Sequence, residues 1–249
     1  MKPTVWIHPG AVAIYGTSFD AAPHSHHAMQ VVWCSDNSSC KLNGLDFSGA
    51  IVINSQIVHQ LEMSKGWVLL IEPRSNLGVE LSIKLAEESY QSYKIPNYSG
   101  SEPAGKTENI VSLFTPLFNE LNLTKHYLIT NKSTVKDKRI QQLLSELEHC
   151  LKGKCIKPST WRASEVASQL ALSESRFLHL FSQELGIAWR PYLLWRRMIC
   201  AIQTIINGTS ATNAAHLAGF SDSSHLSRTF RNNFGMSIRQ ASSLFKNLS

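Results

Sequence analysis

Along the first 90 residues the apolar positions fall in short β-branched or aliphatic runs. These are Val31-Val32-Trp33, Ala50-Ile51-Val52-Ile53, Trp67-Val68-Leu69-Leu70-Ile71 and Val79-Glu80-Leu81-Ser82-Ile83. Turn-prone stretches separate them, including Asp36-Asn37-Ser38-Ser39, Leu42-Asn43-Gly44 and Ser64-Lys65-Gly66. Closely spaced strands with such turns predict a sandwich or barrel. Residues 91–106 break the pattern: two prolines, two glycines and several serines mark a loop or linker. The period then changes. Ile110, Leu113, Phe114, Leu117, Phe118 and Leu121 recur at three- and four-residue steps, the stripe of an amphipathic helix. Pro116 lies inside it and is expected to kink or split it. Ile140, Leu143, Leu144, Leu147 and Leu151 form the stripe of a second helix, and the pattern stays helical to the end.

Within that helical half one grammar occurs twice. Residues 163–170 predict a short helix, Ala171-Leu172-Ser173 a turn, and residues 173–185 a longer helix that buries Phe177, Leu180, Phe181 and Leu185. Ser173 is a good N-cap, Glu174 adds negative charge to the first turn, and Gly186 suits the left-handed closing position. Later, residues 212–218 predict a short helix, Gly219-Phe220-Ser221 a turn, and residues 222–234 a helix burying Leu226, Phe230 and Phe234, closed by Gly235. Residues 192–207 predict the helix that joins the two copies. A short helix, a tight turn and a longer helix make a helix-turn-helix, whose second helix fits the major groove of DNA. Two such units in one chain would reach two adjacent groove faces.

Charge strengthens this reading. Of the net +6, residues 1–134 hold 9 Lys/Arg against 11 Asp/Glu, a net of −2, and residues 135–249 hold 15 against 7, a net of +8. All the excess positive charge therefore lies with the paired units, which points to a polyanion partner. Five cysteines, Cys34, Cys40, Cys150, Cys155 and Cys200, lack CxxC spacing and read as free thiols of a cytoplasmic protein. No apolar run is long enough for a membrane span, and no signal peptide is expected. There is no GxxxxGK[ST] and no GxSxG.

Residues 135–240 resemble the DNA-binding domain of the AraC/XylS transcription regulators. The likeness rests on Leu172-Ser173-x-Ser175-Arg176-Phe177-x-x-Leu180-Phe181-x-x-x-Leu185-Gly186, on Tyr192-Leu193-x-x-x-Arg197-Met198-x-x-Ala201, and above all on Ala218-Gly219-Phe220-Ser221-Asp222-x-Ser224-His225-Leu226-Ser227-Arg228-x-Phe230-Arg231-x-x-Phe234-Gly235. Departures are Ala171 where the family has Gly, Trp189 and Ile238 where Pro is common, and Ala214 where a large aliphatic residue is usual. The resemblance implies base reading by Ser175, Leu178 and His179 on the first recognition helix and by Ser223, Ser224, Ser227 and Arg228 on the second. It implies phosphate contacts by Ser173, Arg176, Arg197, Ser221 and Arg231. Arg228 is suited to bidentate guanine bonding.

Regulators of this kind often carry an N-terminal cupin-like barrel that binds an effector or mediates dimerisation. His24-x-His26-x-x-x-Gln30 is similar to the first cupin metal motif with Gln in place of Glu, and His59 falls where the second motif supplies a histidine. A divalent metal, an organic effector and a structural polar cluster all stay open for these four residues. The resulting expectation is an α+β multidomain protein in three parts: a cupin-like β-barrel over 1–92, a linker with amphipathic helices over 93–134, and an all-α domain with two helix-turn-helix units over 135–249. The expected function is an effector-controlled transcription regulator, not an enzyme. Expected partners are double-stranded DNA, a small-molecule or ion effector, a second copy through the N-terminal region, and RNA polymerase. The competing reading is a metal-dependent cupin enzyme with a basic helical appendage.

Overall fold

The computed structural model describes residues 4–8, 10–95, 110–130, 132–152, 161–238 and 240. The chain divides into two compact units, residues 1–132 with 228–249, and residues 133–227.

Among the described residues the first unit is built on eight antiparallel strands: β1 (Thr4–His8), β2 (Ala11–His24), β3 (Met29–Cys34), β4 (Cys40–Leu42), β5 (Leu45–Phe47), β6 (Ala50–Ile53), β7 (His59–Ile71) and β8 (Tyr90–Tyr93). Their order is β1-β2-β7-β3-β6-β8, with β4 also on β7 and β5 on β4. The spine is β7, which pairs β2 along its whole length, β4 through Leu61–Met63 and β3 through Gly66–Ile71. The pairing is open: among the described residues β1 and β8 are not joined, so the sheet is not a closed barrel. The first three residues of the segment read as linker, Gln91 to Tyr93, are not loop but end β8 and pair with β6. Residues 96–109 lie outside the described residues.

Three expectations need correcting. Residues 79–83 are not a strand but part of helix α1 (Asn76–Leu85). Ser75 caps it, its Oγ accepting from the Gly78 N–H at 3.1 Å. Leu77, Leu81 and Leu85 are buried at four-residue steps, while Ile83 is 73% exposed. The alternation of Val79, Leu81 and Ile83 resembled a strand, but the side chains that find a core follow the helical period. Pro116 does not split its helix either, since α2 (Ile110–Glu120) runs through it. Its face of Leu113, Phe114, Leu117 and Phe118 is buried, with Phe114 against Trp67 at 4.8 Å between ring centres. That packing holds the helix despite the missing N–H. Finally, Cys34 and Cys40 are not free thiols but form a disulfide. Register explains their meeting: Cys34 lies opposite Gly66 and Cys40 opposite Met63, both on β7.

Helices α1, α2 and α3 (Tyr127–Thr130) share one core with the sheet, centred on Tyr15, Trp33, Trp67 and Phe114. The helices at 110–130 are thus part of this unit's core.

The second unit holds α4 (Lys138–Lys152), α5 (Ala163–Gln169), α6 (Glu174–Leu185), α7 (Trp189–Ile206), α8 (Ala211–Leu217) and the start of α9 (Ser223–Phe234). One cluster joins Ile140, Leu143 and Leu147 of α4, Val166 and Ala167 of α5, Phe177 and Phe181 of α6, and Trp189 and Tyr192 of α7. Trp189, placed where Pro is common, closes this core, packing edge-on to Phe177 and Phe181. From Arg228 onward α9 belongs to the first unit.

Candidate nucleic-acid interface and histidine cluster

Helices α5 and α6 form the first helix-turn-helix, α8 and α9 the second. Both turns open in the same way. After α5 the Ala171 N–H donates to Ser168 O at 3.1 Å and the Leu172 N–H to Ala167 O at 2.9 Å. After α8 the Gly219 N–H donates to His216 O at 3.0 Å and the Phe220 N–H to Ala215 O at 2.9 Å. These paired bonds define a Schellman motif, which requires a left-handed residue. Ala171 takes φ 54° and Gly219 φ 81°. Each second helix is then capped by an oxygen three residues ahead of its donor. Ser173 Oγ accepts from the Arg176 N–H at 3.3 Å, and Asp222 Oδ1 from the His225 N–H at 2.7 Å. Each ends on a left-handed glycine, Gly186 at φ 70° and Gly235 at φ 64°.

Packing on one side of each second helix leaves the other side open. On α6, Phe177, Leu180, Phe181 and Leu185 are buried; Ser175, Arg176 and His179 are exposed and Leu178 is half-buried. On α9, Leu226, Thr229, Phe230 and Phe234 are buried; Ser224, Arg228 and Arg231 are exposed, and Ser223 and Ser227 are half-buried. Of the phosphate candidates, Ser173 is exposed but engaged as a cap. Ser221 donates to Asp222 Oδ2 at 3.1 Å and lies 3.1 Å from His225 Nδ1. Arg197 is half-buried on α7, and burial pushes its guanidinium down from its ordinary value.

In the first unit His24, His26 and His59 come together, although β2, the β2–β3 connection and β7 supply them. One ring nitrogen of each lies within 4.8 Å of the others, and all three side chains are buried. A register shift aims His24: between Ala21, opposite Leu61, and His24, opposite His59, β2 carries an extra residue. Pro23, which has no N–H for the ladder, lies in that bulge. Every Nδ1 faces a backbone carbonyl: His24 to Ala22 O at 2.8 Å, His26 to Ala28 O at 2.9 Å, His59 to Ile57 O at 2.9 Å. A carbonyl only accepts, so each proton sits on Nδ1 and each Nε2 keeps its lone pair. Burial disfavours the charged form throughout. It lowers His24 to about 4 and His26 to about 3, with His59 nearby opposing charge on both, and it lowers His59 itself. Gln30 stands 2.9 Å from His26 Nε2. The atom placed there is Gln30 Oε1, so a proton on His26 Nδ1 requires the amide to be turned to present its NH2, an orientation assigned from the hydrogen-bond network. The Nε2 of His59 is buried without a hydrogen-bond partner.

Sequence reasoning missed what adjoins this cluster. The Ala22 N–H donates to Gly235 O at 3.0 Å, and the ring of Phe234 lies 6.1 Å from that of His26. A Cβ on Gly235 would stand 2.2 Å from Ala22 O and 2.7 Å from His24 Nδ1. Gly235 carried a local signal as a helix terminator, but the bulge it touches lies more than 200 residues away in sequence.

Two helix-turn-helix units in tandem, each with one buried and one open face on its second helix, define a nucleic-acid-binding module. Residues 166–243 match the family described as a helix-turn-helix domain. The C-terminal region is therefore similar to that helix-turn-helix family. Over 82 residues it is 33% identical to the virulence regulon transcriptional activator VirF of Yersinia enterocolitica, covering 32% of this chain and 30% of that one. Over 75 residues it is 36% identical to the probable transcriptional regulator LumQ of Photobacterium leiognathi, covering 30% of each chain. The chain thus spans about a third of the length of the curated relatives it matches. In fold, it is similar to wild-type ToxT from Vibrio cholerae strain SCE256 with unsaturated fatty acid bound. There the TM-score is 0.51 at 11% identity, over 100% of this chain and 99% of that one. The two-part α+β layout is therefore shared, although almost no sequence is. Among the described residues no helix is long and apolar enough to cross a membrane.

Proposed function

We propose that this protein is a sequence-specific, DNA-binding transcription regulator that answers to an effector held by its N-terminal unit. The observation that carries the reading is the repeated turn geometry, which presents α6 and α9 each with a polar face free of the core. In this reading Ser175, Leu178 and His179 read bases from α6, and Ser223, Ser224, Ser227 and Arg228 from α9. Arg176 and Arg231, exposed beside them, contact phosphate with Ser173 and Ser221, and the half-buried Arg197 does so from α7. The relatives' names support the choice of a regulator over an enzyme.

The antiparallel sheet wound around β7 supports a cupin-like fold for the first unit, with the effector, a small molecule or an ion, among His24, His26, Gln30 and His59. A homodimer through this unit is part of the same reading. As for an activator such as VirF, RNA polymerase is the proposed partner on the promoter, in the cytoplasm where the DNA lies.

Selection from random-sequence duplexes with the full chain tests the reading. The expected product is two half-sites about 10 base pairs apart. A pool bound with equal strength whatever its sequence would overturn it.

A further inference from the structure

We propose that His24, His26 and His59 form a binding site for a late first-row divalent metal ion such as zinc, and that the bound ion acts on α9 through Ala22 and Gly235. This rests on the regulator reading above and names the chemical class of its effector.

The ligand chemistry is already arranged. Neutral imidazoles suit zinc, copper, nickel and iron, and metal-binding histidines almost always donate the other ring N–H to a carbonyl or carboxylate. Here each Nδ1 faces a backbone carbonyl, which favours the Nδ1–H tautomer, and one ring nitrogen of each histidine lies within 4.8 Å of the others in one buried space. An unpartnered buried acceptor is costly, and His59 Nε2 is one. A metal ion satisfies it and takes the place of Gln30 on His26 Nε2. Three histidines with a fourth, open position form a known zinc geometry. Cys34 and Cys40 are taken up by their disulfide, so among the described residues the site depends on imidazoles alone.

The same residues reach α9. The Nδ1–H of His24 donates to Ala22 O, and the N–H of Ala22 donates to Gly235 O. Two hydrogen bonds through the backbone C=O and N–H of one residue, Ala22, therefore connect the cluster to the residue that closes the second recognition helix. Gly235 also lies so close to Ala22 and His24 that no Cβ fits between them, so a shift on one side displaces the other. Donors on a tetrahedral zinc stand roughly 3.3 Å apart. The ring nitrogens are spread over as much as 4.8 Å, and closing that gap moves the Ala22 bulge. Arg228 stands seven residues before Gly235 on the same helix, roughly 10 Å along its axis. An ion that holds the end of α9 thereby shifts the helix that carries the base-reading arginine.

The test uses the full chain, zinc ion as the probe, and the tightest duplex from random-sequence selection. Calorimetry is expected to give one zinc per chain. His59→Ala and the size-conserving His59→Gln, with circular dichroism confirming that each is folded, are expected to weaken zinc at least about 100-fold. Wild-type affinity for the duplex is expected to change about tenfold between zinc and chelator, with zinc affinity changing by the same factor when the duplex is present. Neither variant should show that response. Equal zinc binding by wild type and both variants, or none by wild type, overturns the site. Zinc bound with no change in DNA affinity overturns the coupling to α9. If no duplex is bound in zinc or in chelator, the regulator reading fails, and the calorimetry still decides the site.

Discussion

Ala171 and Gly219 hold the same place in the two helix-turn-helix units: each is the second residue after its short helix, and each is left-handed, at φ 54° and 81°. Such a conformation costs an L-residue with a Cβ about 1–2 kcal/mol, and glycine almost nothing. Glycine also loses more entropy on folding, so the net gain at Ala171 is smaller. Ala171→Gly is expected to stabilise the protein by about 0.5–1 kcal/mol, and Gly219→Ala to destabilise it by about 1 kcal/mol. Urea unfolding of the two variants checks this. Equal midpoints for both variants and wild type would contradict it.

Arg228 and Arg231 are both exposed on α9 and are expected to differ in kind. Arg228→Ala should relax one base position, with about 1–3 kcal/mol less discrimination there. Arg231→Ala should weaken binding evenly across sequences and reduce the salt slope by about 1. Binding measured on single-base variants of the selected site, at several salt concentrations, distinguishes the two.

Acid should destabilise the metal-free protein through His24 and His26. Their folded pKa values, about 4 and about 3, lie below the ordinary 6.5 because burial disfavours the cation. The unfolded chain therefore binds protons that the folded chain refuses. Stability is full above pH 6.5 and is lost as pH falls toward 4 and then 3, by at most about 1.4 kcal/mol per pH unit for each group. Unfolding midpoints in chelator between pH 7 and 4 measure this. A slope unchanged in His26→Gln would contradict it.

Leu81 and Ile83 test the helix that replaced the expected strand. Leu81→Ala removes a fully buried side chain and should cost about 2–5 kcal/mol. Ile83→Ala trims an exposed one and should stay within about 0.5 kcal/mol. Equal losses at both positions would fit a strand face, not α1.

The helix-turn-helix pair was legible because its signals are local. Ser173, Gly186, Gly219 and Gly235 each act within a turn of themselves, and the buried stripes repeat at helical spacing. The strands were legible only where every residue is apolar. The first half of β7 buries His59, Leu61 and Met63 and turns Gln60 and Glu62 outward, a period-two signal diluted by polar residues. Non-local relations left no mark. Gly235 meets Ala22 only because the chain returns there. His24, His26, Gln30 and His59 could be named from the sequence. Their common tautomer could not, because Ala22, Ala28 and Ile57 set it through backbone oxygens.

The central claim is that one chain reads two half-sites with two helices joined by α7. The most direct measurement compares the affinity of the full chain for its selected duplex with that for the same duplex carrying five extra base pairs between the half-sites. Half a turn moves one half-site to the opposite face of the duplex, so affinity should drop at least about tenfold, toward the non-specific level. Equal affinity for the two duplexes would contradict the claim.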